Sequence, residues 1–78
     1  MSPMDYTTLA AEWRNEQPEN RATTGVVLIW DGEVYGWKST LRDASHERTG
    51  AVAVDSEGHV FRAAGGDAYN GAKCWVPL

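Results

Sequence analysis

The stretch `VVLIWDGEVYGW`, residues 26–37, constrains the fold more than any other part of the chain. Asp-Gly between two β-rich apolar runs signals a two-residue hairpin, because both central positions of such a turn take positive φ. With Asp31-Gly32 as the turn, Trp30 pairs with Glu33, Ile29 with Val34, Leu28 with Tyr35, Val27 with Gly36 and Val26 with Trp37. One face then carries Val27, Ile29, Val34 and Gly36. The other carries Val26, Leu28, Trp30, Tyr35 and Trp37, with Glu33 near the turn. A hairpin apolar on both faces needs cover on both. On this reading the aromatic face is core, and the aliphatic face lies under the polar segment `KSTLRDASHERTG` or a second chain. Trp30 and Leu28 are expected to fill the core, and Tyr35 and Trp37 to stay accessible as anchors for a partner, since Trp and Tyr desolvate a large area and keep a polar handle.

The rest of the chain supplies one helix and a second hairpin. Ser2 suits a helix cap, Pro3 the first helical position, and Asp5 the positive helix end. Tyr6, Leu9, Ala10 and Trp13 follow the spacing of one buried helix face. Asp5, Glu12 and Glu16 form an adjacent acidic stripe, with Arg14 off it. The helix is expected to stop before Pro18, and `PENRATTG` reads as a polar connector. Further on, `AVAV` (51–54) and `HVFRA` (59–63) flank `DSEG`, a type I turn closed by Gly58. This predicts one face with Val52, Val54, His59 and Phe61, and another with Ala51, Ala53, Val60 and Arg62. `GGDAYNGAK` reads as a loop with a tight turn at Asn70-Gly71, and `CWV` (74–76) as a final strand held to an edge by Pro77. The expected architecture is α+β: a single domain over 1–78, one N-terminal helix packed on an antiparallel sheet of about five strands with two tight hairpins.

Composition narrows the function. Seventy-eight residues leave no room for a separate catalytic module, and such a chain buries only about 60–65% of its unfolded surface. The single cysteine, Cys74, allows no intrachain disulfide and fits a reducing cytoplasm. `MSPMDYTTLAAEW` lacks the basic start and apolar run of a secretory signal, and no stretch approaches the length of a membrane span, so a cytoplasmic protein is expected. Eleven Asp and Glu against seven Lys and Arg give a net charge of −4. That balance disfavours direct nucleic-acid binding, which neutralises phosphates with cations.

The hairpin tips are acidic, with Asp31 and Glu33 at one and Asp55 and Glu57 at the other. In a meander both would project from one end of the sheet. Turn chemistry accounts for Asp31 and Asp55 but not for Glu33 or Glu57. Together with Glu12 and Glu16 these carboxylates are candidates for a basic partner. Cys74, His46 and His59 are the only soft metal ligands and lack the closely spaced pairs of a zinc site; no metal or cofactor is expected. His59 reads as a half-buried sheet residue and Cys74 as a buried small apolar one. `GGDAYNG` lacks the Lys-Ser/Thr and the strand-to-helix context of a phosphate-binding loop.

In size, acidity, helix-plus-sheet layout and tight hairpins such as `WDGEVYGW`, the whole chain resembles the small anti-CRISPR proteins that phages and mobile elements direct against type I surveillance complexes, type I-C among them. Those families share no common motif, so no residue roles carry over by position. The resemblance implies a phage-encoded, non-enzymatic inhibitor acting in the host cytoplasm, which covers a basic DNA-binding surface of its target. The residues at hand for that contact are Glu12, Glu16, Asp31, Glu33, Asp55 and Glu57, with Tyr35 or Trp37 as the desolvated anchor. Two other classes are open to the same residues. One is a single-stranded nucleic-acid binder stacking bases on Tyr35, Trp37 and Phe61, which needs Lys38, Arg42, Arg48 and Arg62 on the aromatic side. The other is a minimal enzyme using Cys74, with His59 or His46 and Asp67 in support.

Overall fold

The computed structural model describes residues 6–18, 23–41, 43–67 and 69–78. It has one helix, α1 (Tyr6–Asn15), and five strands: β1 (Val26–Trp30), β2 (Glu33–Lys38), β3 (Val52–Asp55), β4 (Val60–Ala64) and β5 (Cys74–Pro77). A 3₁₀ turn, Ala44–His46, interrupts the connector between β2 and β3. The strands form one antiparallel sheet in the order β2-β1-β3-β4-β5. The fold is therefore α+β, one helix on a five-stranded antiparallel sheet. The cap expected at Ser2, Pro3 and Asp5 lies outside the described residues.

The helix packs as its spacing predicts. Tyr6, Leu9, Ala10 and Trp13 lie against Val27 and Ile29 of β1 and Val52 and Val54 of β3. Full burial of a valine or isoleucine contributes about 1.5–3 kcal/mol, so this layer is the main apolar stabilisation. After Asn15 the chain tightens through bonds from Glu16 N to Trp13 O and from Gln17 N to Arg14 O, then leaves the helix at Pro18. Arg14 has a structural role that the sequence did not reveal. It is buried, and its guanidinium donates to Thr24 O at 2.6 Å, Gly25 O at 2.8 Å and Val54 O at 3.4 Å. It thereby fastens the helix to the start of β1 and the end of β3.

The first hairpin turns at Asp31 (φ 52°) and Gly32 (φ 80°), as the Asp-Gly signal requires. Its expected register holds for only two pairs, Trp30 with Glu33 and Ile29 with Val34. Tyr35 is then an extra residue, a β-bulge, and Leu28 pairs with Gly36, Val27 with Trp37 and Val26 with Lys38. The two tryptophans exchange their expected positions, Trp37 through the bulge, while Tyr35 is exposed as expected. Trp37 turns inward beneath the helix and donates Nε1–H to Thr24 O at 2.9 Å. Trp30 is the more accessible tryptophan, 37 % exposed.

The second hairpin is also one residue out of the expected register. Asp55 N bonds His59 O, Val54 pairs with Val60 and Ala53 with Phe61. The loop is Ser56-Glu57-Gly58, one residue shorter than `DSEG`. A slip of one transfers every side chain of a strand to the other face. Val60 accordingly joins the helix-side core with Val52 and Val54, while Phe61 lies opposite Ala53.

The cover on the two faces is the reverse of that expected. The helix covers the aliphatic face of β1, and the connector between β2 and β3 covers the other face. There Ala44 packs with Ala51, Ala63 and Ala72 against Trp75, and the same indole closes over Val26, Leu28 and Ala53. Because β1 pairs with β3, antiparallel, with Ile29 opposite Val52 and Val26 opposite Asp55, the hairpin tips project from opposite ends of the sheet. β5 forms an edge, as Pro77 demands, but Cys74 on it is exposed rather than buried.

Candidate functional site: an acidic groove with an apolar floor

The helix and the tip of the first hairpin enclose a groove of about 310 Å³. Leu9 and Trp13 of α1 and Val34 of β2 form its floor; Glu12, Glu16 and Glu33 line its rim. The geometry follows from two local rules. Glu12 and Glu16 are four residues apart on a helix, so they stand one above the other beside the buried face. The tight turn at Gly32 brings Glu33 and Val34 to that flank of the helix. All three carboxylates are exposed, and Asp31 is exposed next to the Gly32 wall.

The structure thus gathers Glu12, Glu16 and Glu33, and leaves Asp55 and Glu57 at the far end of the sheet. At that end Asp55 serves its own turn. Its Oδ1 accepts from Glu57 N at 2.9 Å and His59 N at 2.8 Å, and Oδ2 lies 3.0 Å from His59 Nδ1. Partial desolvation opposes the charge of Asp55, but the hydrogen bonds from His59 and Glu57 outweigh it and hold the carboxyl below its ordinary range. Glu57 stands 3.8 Å from the same imidazole. His59 is exposed rather than half-buried.

Of the two expected anchors, Trp37 belongs to the helix-side core and Tyr35 to a different surface. On the face away from the helix, Tyr35 donates its hydroxyl to Glu47 Oε1 at 2.5 Å, and Lys38 Nζ lies 2.5 Å from Glu47 Oε2. Glu47 is only 8 % exposed. Burial first, then the hydrogen bond and charge of Glu47, push the Tyr35 phenol well above its ordinary range. Beside this network Arg48 lies over the Trp30 ring, 4.7 Å from its centroid. Sequence reasoning missed Glu47, because the polar run `DASHERTG` does not show which of its charges turns inward.

Several of the residues named for the other two classes are engaged elsewhere. Lys38 is paired with Glu47 and Arg48 lies on Trp30. Arg62, opposite Val52, falls on the helix side of the sheet. Arg42 lies outside the described residues. His59 is bonded to Asp55, whereas Asp67 accepts from Tyr69 N at 2.9 Å and Asn70 N at 2.7 Å. No group of three or more His, Cys, Asp or Glu among the described residues could hold a metal ion. No helix among them is long and apolar enough to cross a membrane.

Fold and groove together define an α+β domain with a carboxylate-rimmed apolar cleft. No family model, no curated protein and no solved structure gives a significant match to this chain.

Proposed function

We propose that the protein is a non-catalytic, stoichiometric inhibitor that covers a basic, nucleic-acid-binding surface on a protein partner. The reading places that partner among bacterial defence complexes, with type I CRISPR surveillance complexes the specific candidates. The observation that carries it is the convergence of Glu12, Glu16 and Glu33 around the floor of Leu9, Trp13 and Val34. Carboxylates on a rim steer a Lys- or Arg-rich surface into contact, and an apolar floor supplies the desolvated contact that charge alone does not give. Both are present in one groove, and the chain's net charge of −4 favours the same partner at longer range.

The groove also changes which residues perform the contact. Trp13 and Val34 replace Trp37 as the apolar anchor, and Asp31 extends the acidic rim at the turn. Asp55 and Glu57, at the other end, contribute only to the general field. The test is capture of purified type I surveillance complexes by the wild-type chain and by Glu12→Lys/Glu16→Lys. Binding by the wild type and its loss in the variant, with the thermal midpoint of the free protein unchanged, supports the reading. Capture of no such complex removes the assignment of partner.

A further inference from the structure

A second concavity lies on the side away from α1 and takes no part in the acidic groove. It is a groove of about 680 Å³ bounded by Trp30 and Tyr35 on the sheet, by Glu47 and Arg48 after the 3₁₀ turn, and by Tyr69 and Asn70 in the loop before β5. Single exposed aromatics are ordinary on a protein surface. Here three line one groove, with Trp30 37 %, Tyr35 48 % and Tyr69 95 % exposed.

Side-chain contacts hold two of these rings, and hydrogen bonds hold the backbone beneath the third. Arg48 covers the Trp30 ring, and the ring lies so close to Gly50 that a Cβ there would meet it at 3.0 Å. Tyr35 is fixed by Glu47, which Lys38 holds from the other side. The loop bearing Tyr69 is braced by Asp67, which takes the amides of Tyr69 and Asn70, and by a bond from Ala72 N to Glu47 O at 3.0 Å. Rings already placed, as Trp30 and Tyr35 are, bind with less loss of side-chain freedom than rings that must order on contact.

The chemistry of the lining selects the ligand. Its carboxylate, Glu47, is already neutralised by Lys38, which leaves Arg48 as a single cation laid along an indole. One cation does not neutralise a phosphodiester chain, and no free carboxylate awaits a basic peptide. The groove lies on the face of the sheet, and β1 within it is paired on both sides, so a ligand over β1 meets side chains rather than open backbone. An extended proline-rich segment meets each condition. It is uncharged, it presents ring faces to aromatic walls, and its carbonyls, unpaired within the polyproline helix, accept hydrogen bonds from Arg48.

The geometry points to a second binding site, between Trp30, Tyr35 and Tyr69, for an uncharged proline-rich peptide segment in the polyproline II conformation. It is independent of the acidic groove. The test is to screen the full chain against an array of short peptides with Pro-x-x-Pro cores and their scrambled controls, then to titrate the best binder while following tryptophan fluorescence. Saturable binding is expected, weakened at least about tenfold by Tyr69→Ala and by Trp30→Ala and unchanged by Glu12→Gln/Glu16→Gln. The Tyr69 side chain is almost wholly exposed, so its truncation leaves the fold intact even if Trp30→Ala does not. Absence of binding to every proline-rich probe overturns the inference, as does binding indifferent to Tyr69→Ala. Saturable binding of an oligothymidylate in place of the peptides also overturns it, in favour of a nucleic-acid ligand.

Discussion

Tyr35 donates its hydroxyl to Glu47 at 2.5 Å, which ties a half-exposed ring on an edge strand to the one buried carboxylate among the described residues. The bond spans the crossover from β2 to β3. It therefore fixes the connector on the sheet as well as orienting the ring.

Removing the phenol hydroxyl with Tyr35→Phe leaves Glu47 with Lys38 alone. A lost hydrogen bond to a buried charged group costs about 1–2 kcal/mol, and urea unfolding is expected to show a loss of that size. The same contact has an alkaline signature. The phenol's folded-state pKa is raised, so its contribution is complete below the unfolded value of about 10 and declines as pH rises beyond it. Stability measured from neutral pH into that range should fall less steeply in Tyr35→Phe than in the wild type.

Arg14 is the tie between helix and sheet. Arg14→Met keeps most of the apolar stem but abandons the carbonyls of Thr24, Gly25 and Val54. A loss of roughly 3 kcal/mol is expected. Arg14→Lys should recover only part of it, because an ammonium cannot reproduce the planar fork of donors. Chemical denaturation of both variants measures the difference.

Asp55 gives the second hairpin an acid-side dependence. Its folded-state pKa is depressed, so its contribution is present above the unfolded value of about 3.9 and is lost as pH falls through the folded one. Asp55→Ala should cost about 1 kcal/mol at neutral pH. It should also shrink the difference in stability between neutral and acidic solution, read from thermal midpoints across that range.

Much of this fold is legible in the residues. The helix face of Tyr6, Leu9, Ala10 and Trp13 and the positive-φ turn at Asp31-Gly32 follow from spacing and turn chemistry. Strand order was not legible: a meander would set both hairpin tips at one end of the sheet, whereas β1 pairs with β3 and sets them at opposite ends. The bulge at Tyr35 and the three-residue loop before His59 were not legible. Each shifts register by one residue, and an alternating pattern of mixed aromatic and small side chains fits either register. Those two shifts moved Trp37 inward and Val60 to the helix side. The separation of the acidic candidates into a groove and a distant tip has a different cause, the pairing of β1 with β3. Glu47 was hidden for another reason: its burial depends on partners at positions 35 and 38 that only the crossover brings near.

The most direct test of the central claim is a competition on a purified type I surveillance complex. Binding of the wild-type chain would be measured on the free complex and on the complex already filled with target DNA, alongside Glu12→Lys/Glu16→Lys and Glu33→Lys. The account predicts that prior DNA blocks the protein, and that each reversal weakens binding at least about tenfold without unfolding the chain. Equal binding to the free and the DNA-filled complex, or full affinity in all the reversed variants, would contradict it.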